Sequence, residues 1–162
     1  MELTPLQIYI ILHIKRAGVE YAKMIMKMTQ VDLERIEEAI NYLISLGILE
    51  RDSGSAIKRS RARFKRASEV HKHHTYYKLS RKGAIFSRKI NEDFLENYFN
   101  NNLGRSGYTF LKILANSRDF EDACKKFGKC EDFQNTLIRW GFITKSGKKT
   151  RYFIRFADFA GL

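Results

Sequence analysis

At Gly47 the apolar pattern of the chain changes period, and few folds permit what stands on either side of it. Before it, Leu33, Ile36, Ile40, Leu43 and Ile44 recur at helical spacing, which predicts a helix over residues 32–46. After it, Ile48-Leu49-Glu50-Arg51 reads as a short strand. The glycine supplies the left-handed residue that commonly ends a helix. A helix is therefore delivered straight into a sheet, with one apolar core shared between them.

Two helices precede that junction. Thr4-Pro5-Leu6-Gln7 combines a capping threonine, a proline at the first helical position and a glutamine three residues after the cap. Ile8, Ile11 and Leu12 continue it, Lys15 and Arg16 suit its C-terminal end, and Gly18 stops it. Residues 19–28, with Ala22, Ile25 and Met26 on one side, predict a second helix, broken at Thr29-Gln30-Val31-Asp32. Beyond the junction, residues 52–55 form a turn and a long basic stretch leads to a return strand at His74-Thr75-Tyr76-Tyr77-Lys78-Leu79. Ser80-Arg81-Lys82-Gly83 opens a fourth helix over about 84–98, whose Ile85, Phe86, Ile90, Phe94, Leu95 and Tyr98 are too many for one packed stripe. Three helices, a strand, a long arm, a return strand and a helix is the order of a winged helix-turn-helix domain, with the arm as the wing.

The rest of the chain repeats this plan in reduced form. Helices are expected at 108–116 (Phe110, Leu111, Leu114), 119–127 and 131–140 (Phe133, Leu137, Trp140). Leu137-Ile138-Arg139-Trp140-Gly141-Phe142-Ile143 lines up with Leu43-Ile44-Ser45-Leu46-Gly47-Ile48-Leu49. A tight hairpin is expected next, strands 142–145 and 152–156 turning at Ser146-Gly147-Lys148-Lys149. The expected fold is mainly α with small β-hairpins (α+β), a tandem winged helix-turn-helix. Its parts are a domain at 1–82, a linking or dimerisation helix at 83–103 and a second, smaller domain at 104–162.

Charge points to the partner. The net charge is +12, but residues 1–50 carry five Lys/Arg against seven Asp/Glu, and residues 51–82 carry eleven against two. A field concentrated at +9 in about a fifth of the chain recruits polyanions. Lys58, Arg59, Arg61, Arg63, Lys65 and Arg66, with Lys72 beyond them, are the expected phosphate contacts. Six such contacts give a log–log salt slope near about −5. The third helix carries Glu34, Glu37 and Glu38, which repel phosphate, beside Gln30, Arg35 and Asn41 as candidate base readers. Either it reads bases or it only supports the wing. In the second domain Gln134, Asn135 and Arg139 are candidate readers, and Lys145, Lys148, Lys149 and Arg151 candidate phosphate contacts. Double-stranded DNA is the expected partner. The alternative is an RNA-binding or protein-assembly module whose wing grips a ribonucleoprotein or an acidic protein.

Two resemblances accompany these residues. Leu43 to Arg51, followed by a basic wing and Tyr77-Lys78-Leu79-Ser80-Arg81-Lys82-Gly83, resembles the MarR-type transcription regulators, with serine where those typically have threonine at the wing exit. That resemblance implies a homodimer through the first and fourth helices. Ile57-Lys58-Arg59-Ser60-Arg61-Ala62-Arg63-Phe64-Lys65, with Glu69-Val70-His71-Lys72-His73-His74-Thr75-Tyr76-Tyr77, is similar to an archaeal family of uncharacterised winged-helix proteins over roughly residues 1–90.

Other chemistry is not expected. Cys124 and Cys130 lack the second pair that a zinc framework needs. Lys125, Lys126 and Lys129 beside them favour the thiolate and leave a redox role open, but the pair reads as ordinary reduced thiols. His71, His73, His74 and His13 have no acidic or thiol partner at ligand spacing and read as packing imidazoles. No phosphate loop, nucleophile motif or carboxylate constellation stands out, so neither enzyme activity nor a cofactor is expected. The apolar run at residues 8–14 is short, contains His13 and has its basic residues after it, the wrong order for a signal peptide. A cytoplasmic protein, acting in transcription regulation or on chromatin, is expected.

Overall fold

The computed structural model describes residues 2–53 and 74–162. The fold is mainly helical with a small three-stranded antiparallel sheet, an α+β arrangement. The chain divides into two compact units, Met1–Arg88 and Lys89–Leu162.

In the first unit, α1 (Pro5–Ala17) starts on a complete capping box. Thr4 Oγ1 accepts from the Gln7 N–H at 3.2 Å, and the Thr4 N–H donates to Gln7 Oε1 at 3.0 Å. The helix ends at Gly18, whose φ of 86° requires glycine. The second helix is shorter than residues 19–28 promised. Val19–Tyr21 forms strand β1, and α2 covers only Ala22–Thr29. Val19 and Tyr21 are β-formers, and pairing to a strand satisfies backbone groups that a longer α2 would have bonded internally. Then follow α3 (Leu33–Ser45), β2 (Leu49–Arg51), β3 (Tyr76–Leu79) and α4 (Arg81–Arg88). The strand order is β1-β3-β2, with Val19 opposite Lys78 and Leu49 opposite Leu79. Ile36, Ile40 and Leu43 of α3 and Ile8, Ile11 and Ile14 of α1 are buried in the core.

One hydroxyl fastens this unit. Gly47 (φ 75°) ends α3, and the Ile48 N–H returns to the Leu43 carbonyl at 2.9 Å. Ser80 follows β3, and its Oγ donates to the carbonyls of Gly47 and Ile48 while accepting from the Gly83 N–H at 2.9 Å. The end of α3, the start of α4 and the return strand thus meet on a single side chain. Lys82 adds a bond to the Leu46 carbonyl at 2.8 Å.

The second unit contains α5 (Glu92–Asn102), α6 (Gly107–Ala115), α7 (Phe120–Phe127), α8 (Glu131–Trp140) and α9 (Arg151–Ala160). The single helix expected over 84–98 is two helices. Asn91 interrupts it, its side chain accepting from the Phe94 N–H at 2.9 Å as the cap of α5. That break explains the surplus of apolar positions: Leu95 and Phe99 are buried along α5, while Ile85 on α4 is exposed.

The expected second hairpin is also corrected. Residues 146–149 turn back on 142–145, with the Thr144 N–H bonded to the Lys148 carbonyl at 2.9 Å. However, 142–145 forms only an isolated bridge in place of the expected strand, and 152–156 lies within α9. Tyr152, Phe153, Phe156 and Ala157 are buried at helical spacing, and Ile154, which an alternating strand would have placed with Tyr152 and Phe156, is 54% exposed. Thr150 caps the helix by accepting from the Phe153 N–H at 3.1 Å.

A third correction concerns the cysteines. Cys124 and Cys130 are joined in a disulfide, their Cα atoms 5.5 Å apart. The turn between α7 and α8 brings the two positions within bonding range. Compartment arguments, which favoured free thiols, cannot see that local geometry.

Candidate nucleic-acid interface

The α3 junction of the first unit and the α8 junction of the second carry the same bonds. The Phe142 N–H returns to the Leu137 carbonyl at 2.9 Å, as Ile48 does to Leu43. Thr150 Oγ1 donates to the Gly141 and Phe142 carbonyls at 2.6 and 3.1 Å, as Ser80 Oγ does to Gly47 and Ile48. The second unit has no named strand among the described residues, yet two isolated bridges keep the register. Ile143 pairs with Lys149 where Leu49 pairs with Leu79, and Asp119 pairs with Lys148 where Val19 pairs with Lys78. Each unit thus presents two helices joined by a turn, the second of which runs through glycine into a returning pair of extended segments.

The exposed faces of those second helices differ. On α3, Glu34, Arg35, Glu37, Glu38, Asn41 and Ser45 are exposed opposite the buried Ile36, Ala39, Ile40 and Leu43, and Tyr42 is 42% exposed among them. Arg35 and Asn41 are therefore available to a partner, but among three carboxylates. Gln30 is at the left-handed C-cap of α2 (φ 64°), and its side-chain amide donates back to the Lys27 carbonyl at 3.2 Å. That bond turns it onto its own helix. On α8, Asn135 and Arg139 are exposed and Gln134 is half-buried, with Glu131 and Asp132 in the first turn.

The cations also divide. Lys145, Lys148 and Arg151 are exposed around the short turn of the second unit. Lys149 is half-buried, and its Nζ donates to the Ala115 carbonyl at 3.3 Å at the end of α6. Lys126 reaches the same helix end, bonding Ser117 Oγ at 3.2 Å. Lys149 is thus tied to the end of α6, unlike its exposed neighbours Lys145, Lys148 and Arg151. Asp122, beside these lysines, titrates below its ordinary value, first because the Arg118 backbone N–H donates to it at 2.9 Å and then because Lys126 lies close. In the same unit burial raises the Tyr108 hydroxyl, and a hydrogen bond to Glu92 raises Lys112.

Lys58, Arg59, Arg61, Arg63, Lys65, Arg66 and Lys72 lie outside the described residues, as do His71 and His73. The strands from which that segment departs are fixed: the Asp52 N–H donates to the Tyr76 carbonyl at 2.8 Å, and Lys78 Nζ lies 3.7 Å from Glu50 and 3.8 Å from Asp52. His74 stacks on Tyr21 with ring centroids 4.0 Å apart. His13 is buried between Tyr9, 2.9 Å from Nδ1, and Glu20, 3.0 Å from Nε2, tying α1 to β1. On α1 Lys15 and Arg16 are exposed, and Leu12 and Ala17 are half-buried. Among the described residues no helix is long and apolar enough to cross a membrane.

Residues 1–90 match the model of a family described as uncharacterized proteins conserved in archaea, DUF2250. The chain belongs to that family. No curated protein and no solved structure matches it. In this DUF2250 chain the matched span covers the whole first unit and ends as the second begins. Sequence reasoning missed the two clasp hydroxyls. Their signal was present in the spacing of Ser80 from Gly83 and in Thr150, each directly ahead of a helix after a return segment.

Proposed function

We propose that this DUF2250 protein is a double-stranded DNA-binding protein built of two winged helix-turn-helix units, a cytoplasmic transcription regulator or chromatin-associated factor without enzymatic activity. The observation that carries the reading is the paired register of the two junctions. In each unit a helix–turn–helix leads through glycine into a return segment, and the longer of the two connections, residues 52–75, carries seven Lys/Arg against two Asp/Glu. A connection so basic, held at its ends by an antiparallel strand pair, is suited to run along a phosphate backbone. The acidic face of α3 argues that the grip on phosphate outweighs base reading there, so the affinity is weakly dependent on sequence. On α8, Asn135 and Arg139 are better placed as readers, and Lys145, Lys148 and Arg151 as flanking phosphate contacts.

The test is a titration of labelled duplex DNA, duplex RNA and single strands of equal length at rising salt. Duplex DNA is expected to bind most tightly, with a log–log slope near about −5. Binding that is flat with salt, or tightest to duplex RNA, would replace this reading with an RNA-binding or assembly role.

A further inference from the structure

We propose that Cys124 and Cys130 form a reversible dithiol–disulfide site that locks the turn between α7 and α8. Its expected effect on DNA rests on the function proposed above; its effect on the fold does not.

The two units hold the corresponding turn by different means. In the first unit, α2 packs directly against α3, Val31 is buried in the turn, and the Val31 N–H donates to Thr29 Oγ1 at 3.2 Å. In the second, α7 packs mainly on α6. Gly128 sits at φ 106° and bonds back only to Cys124 of its own helix, and Cys130 stands at the N-cap of α8 with no side-chain bond to the helix. The disulfide crosses from α7 to α8, as does the ring contact of Phe127 on Phe133 at 5.7 Å. A covalent tie thus stands where the first unit uses a buried side chain and a hydrogen bond.

The two sulfur-bearing residues are unequally covered. Cys130 is 4% exposed, whereas Cys124 is half-buried. A small dithiol reductant therefore attacks Cys124 Sγ, forming a mixed disulfide and releasing Cys130 as a thiolate, which takes up a proton. The reductant's second thiol then closes its own disulfide and frees the Cys124 thiol. Two electrons pass to the cysteine pair, and the dithiol is oxidised by two. Without the cross-link α8 loses its covalent tie to α7 and keeps the Phe127–Phe133 ring contact.

The full chain carries its own reporter, since Trp140 at the end of α8 is its one tryptophan and touches Phe99 and Phe142. Oxidised and reduced dithiothreitol would set the state, thiol labelling would count free cysteines, and amide exchange and Trp140 emission would be followed. Reduction under native conditions is expected to speed exchange across residues 120–140 by about tenfold while leaving α1 to α3 unchanged, as a local opening does. Re-oxidation restores the slow form, and C124S/C130S behaves as the reduced chain in both buffers. Full reduction without change in exchange, or a disulfide that resists the dithiol in the folded chain, would overturn the proposal. Duplex affinity measured in the same buffers separates the two readings. Weaker binding after reduction supports both, and equal binding despite faster exchange overturns the site's control over DNA. Absence of binding in either state, with exchange still responsive, leaves the redox site standing and removes the DNA-binding function.

Discussion

Three residues beyond the clasp hydroxyl, the first unit has Gly83 and the second has Phe153, and that contrast runs through the whole molecule. A Cβ on Gly83 would stand 2.0 Å from the Ile48 carbonyl oxygen, so α4 lies directly on backbone. Phe153 instead inserts a ring, 5.1 Å from that of Phe142, and α9 is spaced from the junction by aromatic side chains. The first unit has three paired strands, while the second keeps two bridges and buries Phe99, Phe110, Phe142 and Phe156 in its core. The same hydrogen-bonded junction can thus be stabilised by sheet and close backbone approach, or by a cluster of rings. What the two units share is the clasp; what differs is the material packed around it.

Four measurements would break or sharpen that comparison. The largest effect is expected on DNA. Arg61, Arg63 and Lys65 changed together to alanine should weaken every duplex and flatten the salt slope by about 3, whereas Lys148→Ala with Arg151→Ala should flatten it by about 2. A second pair of changes that leaves slope and footprint untouched would take the second unit off the duplex. Next come opposite substitutions at the matched position, followed by chemical denaturation. Phe153→Ala removes a buried ring and should cost about 3–5 kcal/mol. Gly83→Ala adds one carbon against backbone and should cost up to about 3 kcal/mol. If Gly83→Ala is neutral, α4 does not depend on close approach.

Smaller and more alike are the clasps themselves. Ser80→Ala and Thr150→Val each remove a hydroxyl that donates to two carbonyls and caps a helix, and each should cost about 1–2 kcal/mol. Unequal costs would show that one unit relies on its clasp and the other does not. The smallest effect concerns acid. Asp122 is held below its ordinary value in the folded chain, so the unfolded chain binds its proton more readily, and its contribution is present above the unfolded value. That contribution disappears as pH falls through the folded value. Trp140 emission during acid titration should show a slightly earlier loss of structure in the native chain than in Asp122→Asn when each is normalised to its stability at neutral pH. Identical profiles would remove Asp122 from the balance.

The sequence disclosed the elements whose signals are local. Thr4, Pro5 and Gln7 defined the start of α1, and Gly47 and Gly141 marked the ends of α3 and α8, because caps and left-handed glycines act within a few residues. It misled where two periods fit the same letters. Tyr152, Ile154 and Phe156 alternate as a strand would, yet Tyr152, Phe153, Phe156 and Ala157 also recur as a helix would, and Thr150 decides between them. Val19-Glu20-Tyr21 became a strand only because β3, more than fifty residues away, offered it a partner. Among the candidate contacts, exposure of Arg35, Asn41, Asn135 and Arg139 agrees with helical spacing. The diversion of Lys149 to Ala115, and of Gln30 to its own helix, depended on atoms that no residue pattern encodes.

The clasp has a consequence for how such a chain can change over time. Ser80 closes a stretch of 32 residues back to Ile48, and Thr150 closes one of 8 back to Phe142, with the same two acceptors and the same capped helix beyond. For a bare chain, a fourfold longer closure costs only about 1.2 kcal/mol more, since the penalty grows with the logarithm of length. Insertions and deletions between β2 and β3 therefore cost little in closure and leave both strands their partners. The connection becomes a cassette whose length and charge are free to drift, and a unit can gain or lose a long basic connection without relearning how to fold.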